Sequence, residues 1–276
     1  MLAPSGAPAI DVVRDVTYKK VDGHKLKLDI YMPHGSGTPP GLLYFHGGAF
    51  QNGDKCETKT AAVAERFADA GFNVYVINYR LSGSRRKSAQ ARCAGGSSVD
   101  ISKRRGYVYP AAQRDARAAA KWVARHGARF GTDVSKLASA GSSAGALLSY
   151  TLGTKGLVDV QTGWSGPTKF NEPFNLRLHK GYFGCALKRC PRKWRRGSPF
   201  YQVTRATSRA AIYNSSDETI PRSQARKYAR ALRRAGIAHK KVVIPGSGHA
   251  LAYIDHMLGN GRTVWEDTVH YIKKHL

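Results

Sequence analysis

Short apolar segments of strand length alternate with helix-like segments along most of this 276-residue chain. This alternation is typical of β-α-β units, in which parallel strands form a sheet that helices cover. The predicted strands span residues 16–21, 26–30, 42–45, 73–77, 137–140, 158–161, 210–213 and 241–244. The predicted helices span residues 61–70, 111–126, 145–152, 222–235 and 263–275. We therefore predict an α/β fold with a mostly parallel central sheet and helices on both faces.

The first two predicted strands differ from the rest. Leu26, Leu28 and Ile30 alternate with polar residues, which is the period of a half-buried strand. Asp22-Gly23, just before them, is a turn signal between two strand-like segments. The sequence therefore predicts an N-terminal antiparallel hairpin that extends the parallel sheet.

No internal repeat or linker divides the sequence, which predicts a single domain over residues 1–276. Residues 82–106 are rich in Ser, Gly, Arg and Lys, and we interpret them as an exposed excursion loop. Residues 154–200 are irregular and contain Gly, Pro, Trp and two cysteines. We expect this second segment to form a small cap or lid within the domain.

The chain is strongly basic, with 45 Lys and Arg against 18 Asp and Glu and a formal net charge of +27. Such a surface attracts anionic polymers, anionic cell envelopes or acidic substrates, but a charged surface that is simply solvated is an equally open reading. The basic clusters mostly lack the interleaved aromatic residues of a single-strand binding groove, so we expect no specific nucleic-acid partner.

Four cysteines allow three disulfide pairings. A local Cys185–Cys190 bond is geometrically feasible and would leave Cys56 to pair with Cys93, while four free thiols remain the alternative. No run approaches the roughly 18 apolar residues of a membrane span. We interpret residues 1–9 as a flexible mature terminus. With the even cysteine count this favours a secreted protein over a cytoplasmic one. The oligomeric state is left open.

Residues 141–145, Gly-Ser-Ser-Ala-Gly, match the pattern G-x-S-x-G between a predicted strand and a predicted helix. Glycines at both ends permit a tight turn that pushes the central serine outward. Ser143 is therefore the candidate nucleophile, whereas Ser142 occupies a variable position.

A serine nucleophile needs a base and a group that orients the base. Asp217 follows the strand predicted at 210–213, and His249 lies in a Gly-rich loop after the strand predicted at 241–244. Both would lie at the carboxyl edge of the sheet, where α/β proteins gather their sites. We predict His249 as the base and Asp217 as the acid, with Glu218 as the nearest rival to Asp217.

Acyl transfer also requires hydrogen-bond donors for the developing oxyanion. His46-Gly47-Gly48 follows the predicted strand 42–45, and its glycines allow backbone N–H groups to turn toward the serine. We predict the N–H groups of Gly47, Gly48 and Ala144 as the oxyanion hole. His46 is predicted to support this loop by hydrogen bonding.

This order of motifs resembles the α/β-hydrolase superfamily, above all its compact carboxylesterases related to hormone-sensitive lipase, feruloyl esterases and kynurenine formamidase. Residues 78–81, Asn-Tyr-Arg-Leu, and 109–115, Tyr-Pro-Ala-Ala-Gln-Arg-Asp, also resemble segments of that group. Two positions depart from it: Ala49 stands where many members have a third glycine, and Ser142 where many have aspartate. The resemblance implies the α/β-hydrolase fold and carboxylic-ester hydrolysis through an acyl-enzyme on a Ser-His-Asp triad. It implies no metal and no organic cofactor.

Three other readings remain beside a small-ester hydrolase. An amidase, aryl-formamidase or peptidase would use the same residues with a different pocket. A catalytically vestigial protein that binds polyanions would explain the charge, although no catalytic residue is missing. An esterase that works on or beside an anionic polymer would combine both features.

Overall fold

The structure of the protein is a computed structural model that describes residues 10–35, 37–82, 106–170 and 176–276. Across these residues, eight strands form one mixed sheet in the order β1-β2-β4-β3-β5-β6-β7-β8. The strands are β1 Ile10–Val21, β2 His24–Pro33, β3 Pro40–Phe45, β4 Asn73–Ile77, β5 Asp133–Gly141, β6 Val160–Trp164, β7 Arg209–Ser215 and β8 His239–Ile244. β1 pairs antiparallel with β2 and β2 with β4, while every pairing from β4 to β8 is parallel. The predicted mostly parallel sheet with an antiparallel hairpin is confirmed.

Helices follow most of the parallel strands. They are α1 Thr58–Asp69, α2 Ala111–His126, α3 Ala144–Gly153, α4 Leu176–Phe183, α5 Pro191–Arg196, α6 Ser223–Arg234 and α7 Val264–His275. α7 begins with a capping box, in which the Thr263 side chain accepts from the Glu266 N–H and Glu266 accepts from the Thr263 N–H. The five predicted helices are all present, with ends that differ from the prediction by at most three residues.

The alternation of side chains along the strands separates two cores. Leu43, Phe45 and Ile77 pack with residues of α2 and α3 on one face. Leu42 and Tyr44, one residue out of phase, pack with residues of α1 and α7 on the other. α6 packs beside α3 against β7 on the α3 face. Helices therefore cover both faces of the sheet, which leaves its carboxyl edge for the loops that follow the parallel strands.

Three strand predictions require correction, of which the simplest is that β5 begins at Asp133 and not at residue 137. β1 begins at Ile10 and not at residue 16, because residues 10–13 pair with residues 30–33 across a register shift. β6 begins at Val160 and continues to Trp164 through Gly163, beyond the 158–161 predicted. Gly163 suits this strand because a Cβ there would lie 2.6 Å from the Tyr150 hydroxyl. In a sequence, a glycine usually indicates a weak point or a break in a strand. Here its lack of a side chain makes room for an aromatic side chain of α3.

The predicted excursion at 82–106 lies almost wholly outside the described residues. The predicted cap region contains α4, α5 and a 3₁₀ turn at Pro199–Gln202. A disulfide links Cys185 to Cys190 within the segment between α4 and α5. This agrees with the local pairing considered from sequence. Cys56 is disulfide-bonded too, whereas Cys93 lies outside the described residues. Within the described ranges, no helix is both long enough and apolar enough to cross a membrane.

Candidate active site

The turn between β5 and α3 carries Ser143 in an unusual backbone conformation. Its φ is 52° and its ψ is −115°, a region that residues with a side chain rarely adopt. The Ser143 N–H donates to the Trp164 carbonyl at 2.8 Å, which ties the turn to the end of β6. The side chain is partly exposed although its neighbours are buried. This is the geometry of a strained strand-to-helix turn that presents a serine outward.

The two glycines that flank this turn are required by close backbone approach. A Cβ on Gly145 would lie 2.0 Å from the Phe45 carbonyl oxygen of β3. A Cβ on Gly141 would lie 2.4 Å from the backbone of Gly145. Neither contact is sterically possible, so any larger residue would force the turn open. The G-x-S-x-G pattern therefore reflects packing of α3 against the end of β3.

The predicted oxyanion loop lies directly beside this turn. A Cβ on Gly47 would be 3.6 Å from the Ser143 Cβ, so the Gly47 backbone borders the serine. Gly48 has a φ of 104°, and a Cβ there would lie 2.1 Å from the Asn52 carbonyl oxygen. Ala144 is the first residue of α3, where N–H groups have no partner within the helix and the positive end of the helix dipole lies. The structure thus places the Gly47 backbone and the start of α3 at Ala144 beside Ser143, with Gly48 next along the loop.

His46 lies beneath the loop and does not reach outward. Burial lowers the pKa of its imidazole, so the ring is neutral near pH 7. Its Nδ1–H then donates to the Gly47 carbonyl at 2.7 Å. The ring stacks on Tyr79 at 4.4 Å between centroids, and the Tyr79 hydroxyl donates to the His46 carbonyl at 2.8 Å. These contacts agree with the predicted supporting role of His46.

The two segments that carried the family resemblance meet behind the same loop. The Arg80 guanidinium forms a fork with the buried Asp115 carboxylate, with Nε–Oδ2 at 2.7 Å and Nη2–Oδ1 at 2.8 Å. Asn78 accepts from the Lys55 N–H and donates to Asp54, just past the oxyanion loop. These segments therefore hold β4, α2 and the oxyanion loop in a fixed arrangement and do not line the reacting centre.

His249 pairs with Glu218 and not with the predicted Asp217. Its Nδ1 lies 2.5 Å from Glu218 Oε2, and the Glu218 side chain is fully buried while the imidazole is partly exposed. Asp217 is exposed, and its N–H donates to the Gly246 carbonyl at 3.0 Å. The structure therefore contradicts Asp217 as the partner of His249, and the rival Glu218 takes that position.

The reason lies in how the chain leaves β7. Backbone hydrogen bonds to β8 and the residues after it continue past the end of β7. The Ser216 N–H donates to the Ile244 carbonyl, and the Asp217 N–H donates to the Gly246 carbonyl. This pairing directs the Asp217 side chain to solvent. The chain then turns, and Glu218 Oε1 accepts from the Ser215 N–H at 2.9 Å and from Asn214 Nδ2 at 3.0 Å. The longer Glu side chain thereby folds back under His249.

Ser165, which the sequence did not single out, holds both members of this pair. It follows β6, is fully buried and has a φ of 55°. Its hydroxyl donates to Glu218 Oε1 at 2.8 Å and accepts from the Ala250 N–H at 2.8 Å, the residue after His249. Tyr253, whose pKa burial raises well above its ordinary value, contacts the same hydroxyl at 2.9 Å. Only its position just after a parallel strand could have suggested Ser165.

All of these groups follow strands that run in parallel. The oxyanion loop follows β3, Ser143 follows β5, Ser165 follows β6, Glu218 follows β7 and His249 follows β8. The arrangement supplies a strained serine, an imidazole with a fixed carboxylate and backbone donors at one edge, which suits acyl transfer. Among the described residues, no group of three or more His, Cys, Asp or Glu side chains is placed to hold a metal ion.

Known proteins resemble this chain in sequence. The sequence profile of the BD-FAE family matches residues 28–93 and 98–232. Esterase LipI of Mycobacterium tuberculosis is 35% identical over 106 residues, which is 38% of this chain and 26% of LipI. Ethyl acetate hydrolase of Pseudomonas putida is 25% identical over 269 residues, 87% of this chain and 75% of that protein. The chain thus aligns with only about a quarter of LipI.

Solved structures match nearly the whole chain at low identity. A truncated carbohydrate esterase from gut microbiota superposes with a TM-score of 0.77 at 18% identity, covering 98% of this chain and 97% of that one. Apo Thermogutta terrifontis esterase 2 gives a TM-score of 0.70 at 21% identity, covering 99% and 96%. These likenesses show an α/β-hydrolase fold.

Proposed function

We propose a reaction for this chain on the premise that it belongs to the BD-FAE family of α/β-hydrolase esterases and is a carboxylesterase-type hydrolase. The reaction is hydrolysis of carboxylic esters, with Ser143 as nucleophile, His249 as base and Glu218 as the acid. The observation that supports it best is the Glu218–His249 contact of 2.5 Å at the sheet edge that presents Ser143.

The first step is acylation. The Ser143 hydroxyl oxygen attacks the ester carbonyl carbon while His249 Nε2 removes its proton. Glu218 holds the imidazole through Nδ1 and stabilises the imidazolium that forms. The N–H groups of Gly47, Gly48 and Ala144 stabilise the oxyanion, and each such donor contributes about 3 kcal/mol in comparable enzymes. His249 then gives its proton to the leaving alkoxide.

The second step is deacylation. Water attacks the acyl-enzyme carbonyl as His249 removes a proton from it, and collapse of the tetrahedral intermediate returns the proton to Ser143. The carboxylic acid then leaves. The chemistry calls for no metal or organic cofactor, because a fixed imidazole and backbone donors supply the acid, base and electrostatic functions.

The substrate we propose is an ester with a short acyl group. The support is the relative from Pseudomonas putida, an ethyl acetate hydrolase by name, which aligns with most of this chain. An aryl-formamidase or a peptidase would use the same residues, so it remains the alternative within this mechanism. The intact serine, histidine and carboxylate argue against a vestigial binding protein.

We also propose that the protein works outside the cell. The Cys185–Cys190 disulfide and the disulfide-bonded state of Cys56 support this, because disulfides persist mainly in oxidising compartments.

A panel of substrates tests the proposed reaction. p-Nitrophenyl acetate, p-nitrophenyl octanoate, N-formylkynurenine and a feruloyl ester are compared with wild type and Ser143→Ala. We expect kcat/KM to be highest for the acetate and to fall at least about 10⁴-fold in the variant. Preference for N-formylkynurenine would favour the formamidase alternative, and full activity of Ser143→Ala would refute the mechanism.

A further inference from the structure

A groove of about 660 Å³ separates the first turns of α2 from α5 and the segment before it. Six positively charged side chains line it: Arg114, Arg117, Arg189, Arg192, Lys193 and Arg196. The lining contains no acidic residue, and no ion pair joins any of these six side chains to an acid of the described ranges. An adjoining hollow of about 250 Å³ shares Arg117 and Arg196 and adds Lys155.

Like charges that converge without an acidic partner among the described residues repel one another. Burial raises the pKa of Tyr109 on the groove floor, while the charges of Arg117, Arg196 and Arg114 oppose that rise, so three guanidinium groups act on one hydroxyl. Some cations elsewhere among the described residues are neutralised: Lys55 binds two aspartates and Arg80 binds a third. The six cations of the groove have no such ion pair with a described acid, so an anion bound among them would relieve the repulsion.

The wall of the groove is rigidly built. Cys190 lines it and is joined to Cys185 by the disulfide. Trp194 of α5 is buried, stacks on Phe183 at 4.6 Å between centroids and donates through Nε1 to the Cys185 carbonyl at 3.0 Å. Because α5 is fixed in this way, the guanidinium groups that it carries start from a constrained backbone, which lowers the entropic cost of binding.

The groove is connected to the oxyanion loop by a short series of aromatic contacts. Tyr109 donates from its N–H to the Tyr182 carbonyl at 2.7 Å, and their rings lie 6.1 Å apart. Tyr182 in turn stacks on Phe50, three residues after Gly47, with 4.0 Å between centroids. The groove and the oxyanion loop are therefore separated by only two buried aromatic side chains, Tyr182 and Phe50.

We propose that this groove binds an acidic polysaccharide whose carboxylates pair with the arginines and whose ester groups are hydrolysed at Ser143. The inference rests on the proposed function. Five of the six cations are arginine, whose planar fork matches a carboxylate with two parallel hydrogen bonds. A polymer that carries esters needs both a binding groove and a hydrolytic site, and the nucleic-acid backbone carries no carboxylic ester. The adjoining hollow extends the positive surface as a polymer requires.

Binding of a fluorescein-labelled galacturonate heptamer, with a xylose heptamer as the neutral probe, tests the groove at about 0.15 M NaCl. The groove variant is Arg114→Gln, Arg192→Gln and Arg196→Gln combined. The control variant removes the same charge from exposed sites farther along α2 and its end, through Lys121→Gln, Arg125→Gln and Arg129→Gln. We expect the Kd for the galacturonate to rise at least about 10-fold in the groove variant and less than about twofold in the control. Wild type should bind the xylose heptamer at least about 10-fold more weakly than the galacturonate.

Equal weakening in both variants would overturn the proposal, because it would show binding to the basic surface as a whole. Tighter binding of a single-stranded DNA oligomer with the same number of charges would also overturn it. Turnover of p-nitrophenyl acetate should be the same in both variants as in wild type. A wild-type protein that fails to hydrolyse this ester would refute the proposed function, while the binding comparison decides the groove independently.

Discussion

Glu218 Oε2 lies 2.5 Å from Nδ1 of His249, whereas the side chain of the adjacent Asp217 is exposed. Glu218 is held by Ser165, Asn214 and the Ser215 N–H, so both the carboxylate and the imidazole it contacts have a defined orientation. The two neighbouring carboxylates therefore have different roles, and single substitutions can separate them.

Glu218→Gln should lower kcat by about 10²–10⁴-fold with little change in KM, because the amide no longer stabilises the imidazolium. Asp217→Asn, the matched control one residue away, should stay within about twofold of wild type, since that side chain is exposed. Steady-state kinetics with p-nitrophenyl acetate measures both. A greater loss of kcat in Asp217→Asn would restore the assignment made from sequence.

Gly48→Ala should abolish the geometry of the oxyanion loop. Its Cβ would lie 2.1 Å from the Asn52 carbonyl oxygen at a φ of 104°, so we expect kcat to fall about 100-fold or more. Gly71→Ala is the control, because Gly71 also has a positive φ, of 86°, but its Cβ would meet nothing within 4 Å. That control should lose about 1 kcal/mol of unfolding free energy and no activity. Equal kinetics for the two variants would contradict the assigned role of the loop.

Ser165→Ala should lower kcat about 10-fold and leave KM nearly unchanged, because Glu218 and the Ala250 N–H lose a shared hydrogen-bond partner. Ser149→Ala removes another fully buried hydroxyl, which lies in α3 six residues after Ser143 and contacts the Ser139 hydroxyl at 2.8 Å. We expect similar losses of unfolding free energy, about 1–2 kcal/mol each, but a kinetic defect in Ser165→Ala alone. Chemical denaturation and kinetics on the same samples compare them, and matching kinetic defects would show a purely structural role.

Lys55→Met should destabilise the fold by about 3 kcal/mol near pH 7, because it removes the buried cation at 2.7 Å from Asp29 and leaves only the half-exposed Arg14, at 3.7 Å. Burial alone would lower the pKa of Lys55. The Asp29 and Asp15 carboxylates raise it by a larger amount, so the net shift is upward. Burial alone would raise the pKa of Asp15, but Lys55 and Lys27 together lower it by more, so the net shift is downward. The contribution of the cluster is thus lost as pH falls through the depressed pKa of Asp15 or rises through the elevated pKa of Lys55.

The difference in unfolding free energy between wild type and Lys55→Met should therefore be largest between about pH 4 and pH 10 and should shrink outside that range. Lys136→Met is the control, because Lys136 forms an exposed pair with Asp133 at 3.5 Å. It should change stability by less than about 0.5 kcal/mol at every pH. A pH-independent difference for Lys55→Met would show that lost packing, not charge, causes the effect.

The sequence predicted the succession of strands and helices along the chain well, because apolar runs and glycine turns are local signals. Ser143 and the loop around Gly47 were identifiable because tight backbone approach demands particular residues at fixed spacing. Glu218 was confused with Asp217 because both follow β7 and only the hydrogen bond from the Asp217 N–H to Gly246 turns one outward. Ser165 left no signal, since one serine after a strand is common and its contacts come from residues more than 50 positions away.

Active-site labelling tests the central claim most directly. Wild type, Ser143→Ala and Ser142→Ala are treated with a fluorophosphonate, and intact mass and peptide mapping locate the adduct. We predict one adduct on Ser143 in wild type and in Ser142→Ala, with loss of esterase activity in proportion to labelling, and no adduct in Ser143→Ala. Stoichiometric labelling of another residue, or an active Ser143→Ala protein, would contradict the assignment of Ser143 as the nucleophile.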